Sequence, residues 1–377
     1  MYKLRIFTPG PTPLMPAAQL AASKPIVHHR TEEFRDLALA TRKNLQKIFK
    51  TTGDVVILSC SGTGAMEATV ANLVSTKNPA MTVSIGKFGE RWVEICQAHG
   101  HSCVTLSKEP GQAAEAAEIC RALENNPDVK TLFLQGCETS TGTMHDLEAI
   151  GNAVREGFPE VLLVVDGITA VGSQPLHTDE WGLDVVISGS QKSFAMSPGL
   201  AFVSLNQRAL KRLPGKGGSY YFNLGREVAS QRQGKTTFTP AVSLYQSLFA
   251  STSEILDQGI DRIIEETAQM ARATRAGLRA LRCTLLSTSP ANAATAAFPP
   301  PGVQATDLMR VLEERFGVKL AGGQGKLKSR IFRIAHLGYF DFLDVVSVVG
   351  GVELAIGELS GRKPDGSGLR ATLASWP

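Results

Sequence analysis

Short runs of continuous apolar residues, separated by stretches with helical periodicity, fill the first two-thirds of the chain. The runs lie at 54–59, 81–86, 130–136, 161–167, 184–190 and 200–205. Strands with one solvated face alternate between apolar and polar residues, whereas strands buried on both faces are apolar throughout. The pattern therefore predicts an α/β fold, with a large, mostly parallel sheet covered by helices on both sides.

The character of the sequence changes near residue 250. Residues 251–282 form a long amphipathic stretch that predicts one connecting helix, and shorter helical and strand-like segments follow it. A chain of 377 residues is too long for one simple core. We predict a large domain of residues 16–250 and a small α+β domain of residues 1–15 and 251–377. The polar tail after Gly361 is predicted to be an extension or to be loosely attached.

Charge and cysteine usage narrow the possible classes of function. The net charge is +4, with acidic and basic residues interspersed, and no apolar run is long enough for a signal peptide or a membrane span. We expect a cytoplasmic protein that binds neither nucleic acid nor a membrane. The six cysteines include no C-x-x-C pair and no cluster with zinc-ligand spacing. Reduced thiols and no metal site are therefore expected.

The residues that follow each predicted strand are the candidates for a site, because ligands bind beyond the carboxyl ends of such strands. Lys192 follows the run at 184–190, and none of the next ten residues is acidic. Asp166 closes the run at 161–165, where a buried carboxylate must be paired or hydrogen-bonded. Each residue also has an ordinary structural interpretation. Lys192 could be a surface lysine whose aliphatic stem lies on apolar surface, and Asp166 could cap the next turn.

Three further strand ends carry groups of a kind that bind cofactors. A Ser-Gly-Thr-Gly turn at 61–64 leads into a helix, whose free amides and dipole suit a phosphate group. Phe88 follows the second run, and the hydroxyls of residues 139–141 follow the third; a core aromatic and turn caps are the alternatives. Together with Asp166 and Lys192, these groups match pyridoxal 5′-phosphate (PLP), whose aldehyde forms a Schiff base with a lysine.

The motifs that carry these residues resemble those of one enzyme family. They are TPGPTP at 8–13, SCSGTGAMEA at 59–68, VDGITAVG at 165–172 and SGSQKSFAMSPG at 188–199. In this order and combination they resemble the class V, fold type I, PLP-dependent aminotransferases, nearest to the alanine–glyoxylate, serine–pyruvate and serine–glyoxylate branch. The resemblance spans about residues 6–358. It implies a seven-stranded type of large sheet and a smaller C-terminal domain.

The resemblance implies a role for each candidate residue toward the cofactor. Lys192 would carry PLP and move the proton at the substrate Cα, and Asp166 would pair with the pyridine nitrogen. Phe88 would stack on the ring, and Thr139 would reach its 3′ oxygen. The phosphate would be bound by residues at two strand ends, namely Ser61, Gly62, Thr63 and Gln191.

Substrate binding is implied for three more positions. Arg333, in SRIFRIAHLG, matches the arginine that binds the substrate α-carboxylate with two parallel hydrogen bonds. Gly10, in TPGPTP, lies in a motif that borders the substrate. Arg30, in HHRTEEF, resembles with His29 a pair found in serine–glyoxylate and phosphoserine aminotransferases. This pair favours a donor with a second anionic group, while a structural tie of the N-terminus is the alternative.

The resemblance also implies a homodimer with composite sites. Thr239, in TTFTPAVSLY, resembles a residue that reaches the phosphate bound by the partner subunit, and Thr237 or Lys235 could serve instead. The implied activity is ping-pong amino transfer from a small L-amino acid, alanine or serine, to a 2-oxo acid, glyoxylate or pyruvate. The alternatives are a dianionic donor such as phosphoserine, a class V lyase such as a cysteine desulfurase using Cys283, and a non-catalytic hydrogenase-associated subunit.

Overall fold

The computed structural model describes residues 3–214 and 218–376. Its strands, in chain order, are β1 (Arg5–Ile6), β2 (Asp54–Leu58), β3 (Ala80–Ser84), β4 (Cys103–Ser107), β5 (Thr131–Gln135), β6 (Cys137–Glu138), β7 (Thr143–Met144), β8 (Leu162–Asp166), β9 (Val185–Gly189), β10 (Ala201–Leu205), β11 (Thr284–Leu285), β12 (Ala294–Phe298), β13 (Val318–Lys319), β14 (Ala321–Gly322) and β15 (Phe332–Ala335).

The helices are α1 (Pro16–Ala22), α2 (Glu32–Phe49), α3 (Gly62–Leu73), α4 (Lys87–Ala98), α5 (Ala116–Glu124), α6 (Leu147–Gly157), α7 (Gln207–Arg212), α8 (Leu224–Gln231), α9 (Val242–Gln258), α10 (Ile260–Ala280), α11 (Ala305–Phe316), α12 (Phe342–Ser360) and α13 (Ser367–Ala374). A short 3-10 helix covers Gly325–Leu327. Among these helices, none has the length and hydrophobicity needed to span a membrane.

The large sheet has seven strands in the order β2-β10-β9-β8-β5-β3-β4. Strand β10 is antiparallel to both of its neighbours, and the other neighbouring pairs are parallel. All residues of the strands are buried except in the edge strand β4. Alternate side chains enter opposite cores: Val55 packs with the cluster of α2, and Val56 with that of α3. The predicted sheet, covered on both faces, is confirmed.

A second sheet has the order β11-β12-β15-β14 and is antiparallel. Phe332 and Ile334 of β15 belong to a separate core that includes residues of α10, α11 and α12. Arg333 lies between them in sequence, and strand alternation turns its side chain to the opposite face. That face lies toward the large sheet, where the Arg333 guanidinium contacts Thr139.

The long connecting helix predicted for residues 251–282 is wrong in one respect: the structure has two helices. Helix α9 ends at Gln258, and α10 starts at Ile260. Gly259 between them has a φ of +88°, a left-handed conformation that only glycine adopts without strain. The apolar periodicity continues through this glycine, which is why the sequence pattern did not indicate the break.

Residues 367–374 of the tail after Gly361 are not loosely attached, so that alternative of the prediction is wrong. Helix α13 packs on α10 and α12. Thr372 is fully buried, and a Cβ at Gly277 of α10 would overlap its hydroxyl, so the two helices approach closely because position 277 is glycine. The division into domains at residues 15 and 250 stays a prediction; residue 250 itself lies within α9.

Candidate active site

The predicted site residues assemble at the carboxyl edge of the large sheet. Asp166 is the last residue of β8, and Lys192 lies three positions beyond the end of β9. Ser61 follows β2, and Phe88 follows β3. Because these strands run in the same direction, their ends meet at one edge. The rule that selected the candidates in the sequence therefore agrees with their positions in the fold.

The N-terminal segment closes over Lys192. The Lys192 Nζ donates a hydrogen bond to the Pro9 carbonyl at 2.6 Å, and the Thr12 hydroxyl donates to the Lys192 carbonyl at 3.0 Å. Gly10, between them, has a φ of +130°, and a Cβ there would overlap the Lys192 amine. Glycine is thus required at position 10 by both conformation and space, and this residue borders the reactive amine.

The pKa of Lys192 is lowered and the pKa of Asp166 is raised, so that both lie close to neutral pH. Burial lowers the pKa of Lys192 to about 8, an effect that the Asp166 carboxylate opposes and that Arg333 and Arg91 reinforce. Burial raises the pKa of Asp166 to about 7, against the hydrogen bond from the Ile168 amide and the charge of Lys192. An amine with this pKa is partly neutral near pH 7, which suits a nucleophile and a proton carrier.

The turn before α3 has the free donors of an anion site. Ser61 is the N-cap but makes no side-chain cap, and the amides of Gly62 and Thr63 donate no hydrogen bond within residues 3–214 and 218–376. A Cβ on Gly62 would overlap Ile168, so the turn lies against the segment that follows Asp166. The buried Gln191 Oε1 has no partner among the described residues. Gln191 lies close to this turn, since a Cβ on Gly189 would lie 3.2 Å from the Gln191 Oε1 and 3.8 Å from the Gly62 nitrogen. Their role toward a phosphate stays a prediction.

Phe88 and Thr139 lie on two adjoining loops of the site. Phe88 is half-buried in the first turn of α4, and the Arg91 guanidinium carbon lies 4.7 Å from the centre of its ring. The Thr139 hydroxyl is 2.7 Å from the hydroxyl of Thr169, which lies three residues beyond Asp166. The aromatic ring and the hydroxyl therefore belong to the same assembly as Asp166.

Arg333 is a buried arginine without a carboxylate partner in the part of the chain that the structure describes. Its Nε donates to the Gly322 carbonyl at 3.0 Å, and its Nη1 donates to the Thr139 carbonyl at 2.8 Å. Burial lowers its pKa, and Glu138 opposes the shift. Two carbonyls orient the guanidinium and leave donors on Nη1 and Nη2 for an anion, an arrangement that suits a carboxylate.

Two predicted residues are not brought to this site within the chain. Arg30 is exposed, and its amide donates to the Nδ1 of His28. Thr239 is also exposed, in the loop before α9. The roles of Arg30 toward the substrate and of Thr239 toward a partner's phosphate therefore stay predictions. Cys283 is buried in the core of the second sheet, and burial raises its pKa to about 12, so it lacks the thiolate that a desulfurase needs.

Arg91 and Glu138 were missed in the sequence. The Arg91 Nη1 donates to the Thr63 hydroxyl at 3.1 Å, and its charge acts on both Asp166 and Lys192. Spacing offered a signal for it, because Arg91 is one helical turn beyond Phe88. Glu138 is completely buried beside Thr139. The argument from buried carboxylates that selected Asp166 applies equally to Glu138.

A surface cleft lies beside the segment that follows Thr139. It has a volume of about 740 Å³ and is lined by Gly86, Ser140 and Thr141 on the large-sheet side and by Gln324–Leu327 on the other. Within the described residues, no cluster of three or more His, Cys, Asp or Glu side chains could hold a metal ion.

These residues fit PLP. The free amides before α3 fit a phosphate, and the buried Asp166 fits a protonated ring nitrogen. The same region of sequence matches a known family model, aminotransferase class V, over residues 18–332. The chain belongs to the class V aminotransferases. Members of this family are PLP-dependent, and the chain is an aminotransferase with the family's fold type I architecture.

The individual relatives bear different names. A protein of Anabaena cylindrica named soluble hydrogenase 42 kDa subunit is 36% identical over 95% of this chain and 94% of its own length. A serine–glyoxylate aminotransferase of Hyphomicrobium methylovorum is 28% identical over 97% of this chain and 93% of its own. The solved structure of a Thermus thermophilus aspartate aminotransferase of subgroup IV is 33% identical, with a TM-score of 0.88 over 94% of this chain and 99% of that chain.

Proposed function

We propose that this class V aminotransferase transfers the amino group of a small L-amino acid, alanine or serine, to glyoxylate or pyruvate by a ping-pong mechanism. The observation that carries the proposal is Arg333: a buried, oriented guanidinium without a carboxylate partner in the described residues, whose charge acts on Lys192. Amino acids and 2-oxo acids share the α-carboxylate that this guanidinium fits. Arg333 can therefore bind the α-carboxylate of the substrate in both half-reactions.

The other residues divide the remaining tasks. PLP, when bound, supplies an aldehyde to take the amino group and a ring that withdraws electrons from the substrate Cα. Lys192 holds the cofactor and then moves the proton at Cα. Asp166 keeps the ring nitrogen protonated, Phe88 fixes the ring plane, and Thr139 holds its 3′ oxygen. The phosphate is bound by Ser61, Gly62, Thr63 and Gln191, and Gly10 leaves room beside the amine.

Absorbance of the PLP-loaded protein tests this function. We expect single additions of L-serine or L-alanine, without acceptor, to bleach the visible band and glyoxylate or pyruvate to restore it, since each half-reaction can be run alone. L-Aspartate and L-phosphoserine, which carry a second anionic group, are the matched comparison. If only a dianionic donor bleached the band, the amino donor would be a dianionic amino acid instead of alanine or serine. Sulfide release from L-cysteine would reassign the chain to the lyases.

A non-catalytic role, which the name of the Anabaena protein raises, is the remaining alternative. A half-buried lysine and a buried aspartate whose charges interact have little value for packing, because removing either charge from water is unfavourable. The presence of both residues supports an active enzyme. A protein that binds PLP yet responds to no amino acid in the absorbance experiment would favour the non-catalytic role.

We also propose that the working unit is a homodimer, with Thr239 reaching the phosphate in the partner's site. Thr239 lies beside an exposed aromatic surface, in which Tyr220 is 78% exposed and Tyr221 stacks on Phe238 with ring centres 5.1 Å apart. Exposed aromatic residues of this kind are enriched at interfaces between proteins. The same surface would bring Thr239 to a second copy of the chain.

Subunit mixing tests the dimer. T239A and K192A should each be poorly active alone, but a mixed dimer would have one intact site, with Lys192 from one subunit and Thr239 from the other. Random exchange should therefore restore about a quarter of the wild-type sites. Light scattering gives the mass of each sample. A monomeric protein, or full activity of T239A alone, would contradict the proposal.

A further inference from the structure

Glu138 is a completely buried carboxylate at the end of the short strand β6. Its Oε2 accepts hydrogen bonds from the amides of Phe88 and Gly89, both at 3.0 Å. Its Oε1 accepts from the Ser140 amide at 3.1 Å and from the Ser140 hydroxyl at 2.5 Å. Four donors converge on two oxygens, which is the arrangement that suits an ionised carboxylate, because that group only accepts.

On one side, Glu138 provides the N-terminal cap of α4. The N-cap position is Gly86, which has no side chain to satisfy the amides of the first turn. Those amides bond instead to the 138–140 segment, since the Lys87 amide donates to the Ser140 hydroxyl at 3.1 Å. A Cβ on Gly86 would come within 2.7 Å of Glu138, so the two segments approach closely. The carboxylate thereby fixes the helical turn that carries Phe88.

On the other side, the same segment orients Arg333. Thr139 lies between Glu138 and Ser140, and its carbonyl accepts the hydrogen bond from the Arg333 Nη1. The Thr139 hydroxyl contacts Thr169, beyond Asp166. The negative charge of Glu138 also stabilises the protonated form of Arg333 and hence opposes the lowering of its pKa by burial. One carboxylate therefore connects the residue expected to stack on the cofactor with the residue expected to bind the substrate.

We propose that Glu138 is a positioning residue for amino transfer, which fixes Phe88 and Arg333 relative to one another through the first turn of α4 and the Thr139 carbonyl. The inference rests on the proposed function, because it needs a cofactor ring against Phe88 and a carboxylate on Arg333. Glu138 itself touches neither. Its role is to hold Phe88 and Arg333 in a fixed position relative to one another.

The test compares E138Q with E353Q. Glutamine has the same size, but its NH₂ group cannot accept, so at least one backbone amide of the first turn of α4 or of Ser140 loses its partner. We expect E138Q to weaken PLP binding by about tenfold and to raise the KM for the amino donor by a similar factor. The visible circular dichroism of bound PLP should also change, because it reports the orientation of the ring.

E353Q is the matched control. Glu353 is another buried glutamate, in α12, and it accepts a hydrogen bond from the Leu369 amide at 3.2 Å. This variant should bind PLP and donor as the wild type does. If E138Q does not fold, S140A removes the hydroxyl that joins Glu138 to Lys87 while keeping the charge. It should then show the same changes to a smaller degree.

The outcomes separate this inference from the proposed function. Wild-type values for E138Q in PLP affinity, donor KM and dichroism would overturn the positioning role and leave the function standing. If E138Q does not fold, wild-type PLP affinity, donor KM and dichroism in S140A would likewise overturn the positioning role. A wild-type protein that binds no PLP would overturn the proposed function, and the role of Glu138 with it.

Discussion

Replacing Lys192 with alanine is expected to abolish amino transfer while leaving the fold intact. The Nζ of Lys192 is placed by the Pro9 carbonyl, beside Gly10 and close enough to Asp166 for their charges to interact. A positioned acid–base group contributes about 10²–10⁴-fold to a rate, and here the same amine also holds the cofactor. We expect the rate with L-alanine or L-serine to fall at least about 10³-fold.

Attachment of PLP gives a second, independent measurement of K192A. Borohydride treatment of the PLP-loaded protein should add the mass of the reduced cofactor to the wild type and not to K192A. Attachment of added PLP to the cofactor-free wild-type protein should become faster as the pH rises toward 8, because burial lowers the pKa of the free Lys192 amine to about 8 and the neutral amine is the form that attacks the aldehyde.

The control for K192A is K130A, which removes a half-buried lysine just before β5. This variant should keep both the activity and the mass increase. Thermal unfolding of both variants should remain close to that of the wild type, since neither lysine has a carboxylate partner in the described residues. A K192A protein that still transfers amino groups or still gains the cofactor mass would contradict the assignment of Lys192.

The strand ends explain why much of the site could be predicted from sequence. A parallel sheet buried on both faces needs continuous apolar strands, and polar residues that directly follow such strands can meet at one edge. Lys192 and Asp166 are therefore visible as exceptions to the apolar pattern around them. The resemblance to the family added Arg333, which lies in the second sheet and obeys no spacing rule relative to Lys192.

What the sequence did not reveal depends on contacts between distant segments. Pro9 and Lys192 are 183 positions apart, and Arg333 and the Thr139 carbonyl are 194 apart. Glu138 caps a helix 50 residues earlier in the chain. Local patterns report which face of an element is buried, but they do not specify which backbone group a buried polar atom will meet. For the same reason, the break at Gly259 was not visible in the amphipathic pattern.

The position of Arg333 predicts a specific defect in substrate binding. Arg333→Lys retains a positive charge but loses the planar group that can bind a carboxylate through two parallel hydrogen bonds. It also leaves either the Gly322 or the Thr139 carbonyl without its donor, because a lysine amine cannot replace the guanidinium at both positions and still face the substrate. The loss concerns the α-carboxylate, which every amino donor and 2-oxo acceptor shares.

We expect the KM of R333K to rise at least about 100-fold for the donor and for the acceptor alike, with a much smaller change in PLP affinity. The equal effect on both substrates distinguishes a shared carboxylate clamp from a residue that selects the donor side chain. R330K, at an exposed arginine whose guanidinium lies over Phe298, is the control and should leave both KM values unchanged. If R333K impaired only one of the two half-reactions, or lost PLP instead of substrate, the clamp would have to be assigned to another residue.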